Sequence, residues 1–339
     1  MTRQTKPGPR RVTLDTVASL AGVSRATVSR VVNGSPNVDA NIRREVEWAV
    51  RATGYQPSRA ARSLVTRRAG AIALVLPDSQ WMQPDPFVAQ IAAGVTEVAR
   101  AQDVQLVLII AGPEVDQRIL ADARQGRLDG VILVHVDAQD PLPARLIERN
   151  IPLVMSGRPD PTLQVTYVDV DHDSAAALVA DHLVRRGARR TGTICASGAS
   201  RAERDRLNGF VRAMRRHGRG DVAVVRADHT RYGGASGMRD LLRRCPDLDS
   251  VFVTSELMAQ GALSVLIGSG RSVPEDVAVV GFDDSAVALA CEPSLTTVHQ
   301  PVEEMAAQMT RMLLEQIAGE DVPVSPVIFE PSLIVRRSS

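Results

Sequence analysis

Apolar positions recur at two different spacings along the chain, and the change from one to the other falls near residue 70. Leu14, Val17, Ala18 and Ala21 lie on one face of a helix, with Thr13 in place to cap its start. Gly22 ends that helix, Val23 turns back toward the interior, and Ser24 can cap a second helix that runs to Asn33. In the second helix Ala26, Val28, Val31 and Val32 do not form one stripe, because one face must pack while the other meets something outside. Arg25, Ala26, Thr27, Ser29 and Arg30 are left at the front. Asp39 opens a third helix with Ile42, Val46, Ala49 and Val50 on its packing side, Gly54 stops it, and Tyr55 closes the small core. After Pro57, the stretch Ser58 to Arg68 is helix-compatible but shorter than the roughly 12 to 15 residues a helix needs to hold itself in water. It orders only with support.

From Ala71 the spacing changes. AIALVLP (71–77), VQLVLIIA (104–111), DGVILV (129–134) and IPLVMSG (151–157) are short continuous apolar runs. The stretches between them, Phe87 to Arg100, VDQRILADARQG and LPARLIERN, have helical spacing. A second series begins near Tyr167, in which helices at Ser174 to Arg186, Arg204 to His217, Ser236 to Arg244 and Met258 to Ser269 alternate with the strands RTGTICAS, VAVVRA, SVFVTS and VAVVGFDD. Continuous apolar strands alternating with helices predict parallel sheets covered on both faces. Two such subdomains make a cleft where their strand ends face each other, since ligands of open α/β sheets bind beyond the carboxyl ends of the strands. The predicted architecture is a small all-α helix-turn-helix head on an α/β body of two doubly wound parallel-sheet subdomains. A tail at residues 1–11 precedes a head at 12–57 and a linking segment at 58–69, and the body takes 70–339. Within the body the first subdomain takes about 71–166 plus 297–328, and the second about 167–296 plus 329–339.

Charge sharpens this division. The formal net charge of +1 hides a strong asymmetry. Residues 1–68 hold 13 Lys+Arg against 4 Asp+Glu, a net of +9, and the remaining residues hold 27 against 35, a net of −8. A basic head on an acidic body is what a nucleic-acid reader joined to another function carries, and the Pro-, Gly- and Arg-rich residues 1–11 read as a disordered basic arm. No apolar run approaches the roughly 18 to 20 residues of a membrane span, and the N-terminus has no secretory apolar region. Cys195, Cys245 and Cys291 form no CxxC pair, so neither a disulfide framework nor a zinc site is indicated, and the protein reads as cytoplasmic. The six histidines show no HExxH spacing, no GxxxxGK[ST] loop is present, and no nucleophile has an oriented base, so an enzyme is not indicated and no cofactor is expected. A pure solute-binding protein would explain the body but not the basic head.

The stretches TLDTVASLAGVSRATVSRVVNG and GYQPSRAARSL resemble the DNA-binding head and hinge of the lactose/galactose repressor family of bacterial transcription regulators. The resemblance runs on through LTTVHQPVEEMAAQM and FEPSLIVRRSS, so it covers essentially the whole chain and implies a body resembling the periplasmic sugar-binding fold. It implies base reading by Arg25, Ala26 and Arg30, and phosphate or flank contacts from Thr13, Ser24, Thr27, Ser29, Asn33 and Asn37. It also implies hinge contacts in the minor groove by Arg59, Ala61 and Leu64, the leucine acting as a wedge. Where the family usually has aspartate before the Val-Ala of the first helix, this chain has Thr16.

Polar residues with no packing reason stand at the strand ends: Asp171 in VDVDHD, Arg206 in SRAERDRLNGF, Ser255 and Glu256 in VTSE, and Asp283 in GFDD. Carboxylates and a guanidinium can bond adjacent hydroxyls of a sugar, and a single acid of this kind can equally cap a helix. The resemblance makes these five positions effector contacts and adds Tyr232 and Phe87 as pocket walls. The expected function is a ligand-switched regulator, most simply a repressor, binding a near-palindromic DNA operator as a homodimer. A sugar effector is expected, with a nucleoside or another polyol still open, and no membrane partner.

Overall fold

The computed structural model describes residues 12–32, 35, 37–55, 68–77, 86–112, 114–134, 140–197, 200–320 and 324–339. The basic arm, most of the linking segment, Asn33, Arg59, Ala61 and Leu64 lie outside the described residues. The chain divides into two compact units, Met1–Gly70 and Ala71–Ser339.

The first unit contains α1 (Leu14–Ala21), α2 (Arg25–Val32) and α3 (Ala40–Thr53). Thr13 and Thr16 cap α1 reciprocally, each side chain meeting the other residue's backbone N–H at 3.4 Å, so the cap is complete with Thr16 in place of an acid. Gly22 and Gly54 close α1 and α3 in the left-handed conformation, at φ 65° in both cases. Val17, Val28, Val46 and Ala49 are fully buried and pack with Ala18, Val31 and Tyr55. Burial of a valine of this kind stabilises by about 1.5 kcal/mol or more. Ile42, expected on the packing side of α3, is instead 37% exposed, because the core is closed by Val46 and Ala49 one and two turns later.

The second unit holds two six-stranded sheets. The first contains β1 (Ala71–Leu76), β2 (Gln105–Ile110), β3 (Gly130–Val134), β4 (Leu153–Ser156), β5 (Thr166–Val170) and β11 (Val327–Phe329), in the order β11-β5-β4-β3-β1-β2 and parallel throughout. The second contains β6 (Thr191–Ala196), β7 (Ala223–Ala227), β8 (Ser250–Val253), β9 (Ala278–Asp283), β10 (Thr296–His299) and β12 (Ser332–Ile334), in the matching order β12-β10-β9-β8-β6-β7. Only β12 there runs antiparallel.

The helices of the first lobe are α4 (Pro86–Ala101), α5 (Val115–Arg124), α6 (Leu142–Glu148) and α12 (Val302–Ala318). Those of the second are α7 (His172–Arg185), α8 (Arg201–Arg216), α9 (Arg231–Arg244), α10 (Glu256–Gly268) and α11 (Ala286–Ala290). Three crossings join the lobes, after Val170, after His299 and after Phe329. The expected changeover at 166/167 is therefore displaced, because Thr166–Val170 pairs with β4 and β11 inside the first sheet. Likewise Thr297–His299 belongs to the second sheet, paired with β9.

Candidate nucleic-acid interface and ligand cleft

On α2, Val28 and Val31 face the core, so the opposite side turns outward. Arg25, Ala26 and Arg30 are exposed there, and Thr27 and Ser29 are half-buried. Ser24 caps the helix: its hydroxyl accepts the Thr27 N–H at 3.1 Å and lies 2.9 Å from the Thr27 hydroxyl. Thr13 and Asn37 are also exposed. Arg25 stands 4.0 Å from Asp15 with both side chains well exposed, a pairing worth little in water and easily exchanged for a phosphate. Arg43 donates to the Ser35 carbonyl at 2.6 Å and fastens the connection into α3. This gives a short helix with cations and hydroxyls on a rigidly backed outer face.

In the body, polar side chains gather at the carboxyl ends of β6 and β8, where the strand order of the second sheet reverses. Arg206 on α8 is 6% exposed and fully engaged. Its Nη1 donates to the Thr254 carbonyl at 2.8 Å, its Nε to His172 Nδ1 at 3.2 Å, and its Nη2 to Gln300 Oε1 at 3.5 Å. Glu203 and Asp283 lie 3.6 and 3.8 Å from its terminal nitrogens, and the guanidinium stacks 3.6 Å above the Phe282 ring. A buried cation is tolerable only with such partners. Glu203 is itself held by the Ala196 N–H at 3.2 Å and the Thr254 hydroxyl at 2.7 Å.

Asp283 and Asp284 both have positive φ, 120° and 61°, a conformation that costs non-glycine residues energy and persists only when the surroundings enforce it. The enforcing group is Glu256. Its two oxygens accept the Asp284 N–H at 2.7 Å, the Ser285 N–H at 2.9 Å, the Thr297 hydroxyl at 2.7 Å and the Ser285 hydroxyl. Burial pushes its carboxyl above the ordinary range, and the bonds from Ser285 and Thr297 pull the other way. Asp284 is clamped on the far side, accepting from His299 Nδ1 at 2.9 Å and from Arg336. Asp283 is thereby presented beside Arg206.

The seven expected cleft residues therefore part company. Arg206 and Asp283 come together. Glu256 is 2% exposed and spends both its oxygens on the turn at Asp284 and Ser285 and on Thr297. Ser255 is buried at the start of α10. Asp171 caps α7, its carboxylate accepting the Ser174 N–H at 3.0 Å and the Ser174 hydroxyl at 2.6 Å. Burial raises its pKa, and the Ser174 bonds outweigh that and leave it lowered. Tyr232 is 78% exposed and lines a separate hollow with Ser197, Arg226 and Asp228, so it does not join Arg206. Phe87 is half-buried and packs on the first lobe's core.

Missed in the sequence were Asp169, His172, Glu203, Thr254, Phe282 and Gln300. One signal was available: VDVDHD places an acid, Asp169, at a fully apolar strand position. A small hollow of about 100 Å³ lies between the lobes, lined among others by Met155, Gly157, Arg158, Pro159, Ser200 and Arg201. Arg201 reaches across it to the Pro159 carbonyl at 3.4 Å.

Residues 13–58 match the model of bacterial regulatory proteins of the lacI family, and residues 180–339 match a periplasmic binding protein-like domain. The chain is 42% identical over 335 residues to the transcriptional regulator CelR of Thermobifida fusca, covering 97% of this chain and 98% of the relative. It is 33% identical to the transcriptional repressor CytR of Escherichia coli K12, covering 96% of each. A solved CelR–cellobiose complex superposes with a TM-score of 0.76 at 39% identity, covering 97% of this chain and all of the other. A lac repressor dimer bound to operator and an anti-inducer superposes with a TM-score of 0.85 at 26% identity, covering 97% and 99%. No helix among the described residues is long and apolar enough to cross a membrane.

Proposed function

The chain belongs to the lacI family of bacterial regulatory proteins, and on that premise we propose that it is a homodimeric repressor of a near-palindromic operator, switched by a small neutral sugar in the cleft of its body. That it is a transcriptional regulator and not an enzyme follows from the relatives themselves. Two heads are needed because one such module reads a single half-site. Arg25, Ala26 and Arg30 read base edges, and Thr13, Ser24, Thr27, Ser29, Asn33 and Asn37 take phosphates. Arg59, Ala61 and Leu64 serve the minor groove between half-sites.

The observation that carries the effector reading is the Arg206–Asp283 pair, a donor and an acceptor held side by side at the strand ends of a two-lobed body. Such a pair matches the adjacent hydroxyls of a sugar, which on the guanidinium side would take the place of its longest hydrogen bond, the 3.5 Å one to Gln300. The guanidinium is already balanced by Glu203 and Asp283, so the site offers no surplus positive charge to an anion. A disaccharide is the first candidate, because a solved relative is a cellobiose complex.

The test is fluorescence anisotropy of the full chain on a palindromic DNA selected from a random pool by the protein itself, titrated with cellobiose and, separately, with nucleosides. Cellobiose is expected to change DNA affinity by about 5- to 150-fold, the usual range of allosteric coupling. An unchanged affinity with cellobiose and a changed one with a nucleoside would replace the sugar reading; no change with either would overturn the switch.

A further inference from the structure

His172 is the first residue of α7, placed where the chain leaves the first sheet for the second lobe, and it is 6% exposed. Its ring joins one group from each lobe. Arg206 Nε can only donate, so the Nδ1 it meets at 3.2 Å must accept, and the ring proton then sits on Nε2. Nε2 faces Asp169 Oδ1 of β5 at 3.3 Å. The other Asp169 oxygen accepts the Arg158 N–H at 3.1 Å, from the loop after β4 that lines the hollow between the lobes.

Hydrogen bonds therefore run without a break from the first lobe's cleft loop through Asp169 and His172 to Arg206. Arg206 in turn bonds Gln300, which stands at the next crossing. The Phe282 ring fixes the ensemble from one side, its centroid 5.7 Å from that of the His172 ring and 3.6 Å from the guanidinium carbon. The ring is kept neutral, since burial and the neighbouring guanidinium push its pKa down against the pull of Asp169 and Glu203. Asp169 stays ionised: burial raises its pKa, and bonds from His172, Val170 and Arg158 outweigh that.

We propose that His172 is the positioning residue of the cleft: its Nδ1 orients Arg206 toward the effector while its Nε2–H ties that arginine to the first lobe. The choice of Arg206 as an effector contact rests on the function proposed above. The geometry around His172 does not.

The two ring nitrogens can be tested apart. Asparagine places an acceptor near the Nδ1 position, whereas glutamine places its amide near the Nε2 position. In full-length protein labelled with ¹⁵N-arginine, with the Arg206 Nε–H signal assigned by its loss in Arg206→Lys, that signal is expected to be slowly exchanging in the wild type. It should be retained in His172→Asn and lost in His172→Gln. The cellobiose concentration that half-shifts DNA affinity should move by about 10-fold or more in His172→Gln and by clearly less in His172→Asn, in proportion to one lost bond to a charged group.

In ¹⁵N-histidine-labelled wild type, the His172 ring should show the Nε2-protonated neutral form. A protonated ring, an Nδ1–H form, or an Arg206 signal that responds identically to both substitutions would overturn the proposal. A wild type indifferent to cellobiose would count against the effector class alone, and the Arg206 and His172 signals would then decide the role of His172.

Discussion

Arg30 and Thr27 share the outer side of α2 but differ in what they can recognise. A guanidinium can bond a guanine edge through two donors, whereas a threonine hydroxyl tied to the Ser24 cap suits a phosphate that is the same at every step. Arg30→Ala is therefore expected to relax base preference at one position of a selected binding site, by about 1 to 3 kcal/mol of discrimination. Thr27→Val is expected to weaken all sequences alike, and sequencing the bound fractions of a randomised operator pool checks both. If the two variants gave the same profile, the division into readers and positioners would fail. Residue identity also explains why the cleft was only half legible. Arg206 and Asp283 stand out as polar groups at strand ends, but so does Glu256, and sequence cannot distinguish a carboxylate that meets a ligand from one that holds a strained turn. That distinction lies in four donors brought from Asp284, Ser285 and Thr297 by the fold.

At the level of elements, strands and most helices follow from apolar spacing, because parallel strands buried on both faces leave an unbroken apolar run. The failures have local causes. The start of α9 at Arg231, five residues before the expected Ser236, was hidden by Gly233 and Gly234, which cost a helix about 1 kcal/mol each relative to alanine. They are tolerated because α9 and α10 touch: a Cβ on Gly234 would stand 2.0 Å from the Met258 carbonyl oxygen. The strand β2 raises a different matter. It ends its sheet, bonded to β1 on one side, yet Leu108 is 51% and Ile110 40% exposed. An apolar sheet edge is a pairing surface that monomeric proteins usually blunt with charge, and we propose it as this lobe's contribution to the homodimer proposed above. Leu108→Glu is expected to shift the protein from dimer toward monomer in analytical ultracentrifugation and to weaken operator binding in step. A variant that stays fully dimeric would remove β2 from the interface.

For the whole molecule, the division into a basic reader and an acidic two-lobed body was legible from charge and spacing alone, and the place of the lobe crossings was not. A strand such as Thr166–Val170 can pair in either sheet as far as its own residues are concerned; its partners β4 and β11 decide. Those crossings matter because Arg206 is bonded to residues at two of them, His172 and Gln300, so in the proposed switch a ligand on Arg206 would bear on both. In the proposed switch this engagement and operator binding share one free energy. Linkage requires the coupling to be reciprocal. The decisive measurement is the calorimetric affinity of the full chain for cellobiose, free and saturated with its selected operator. A change is expected by the same factor, about 5- to 150-fold, that cellobiose imposes on DNA affinity. Equal affinity for cellobiose in the two states would contradict it.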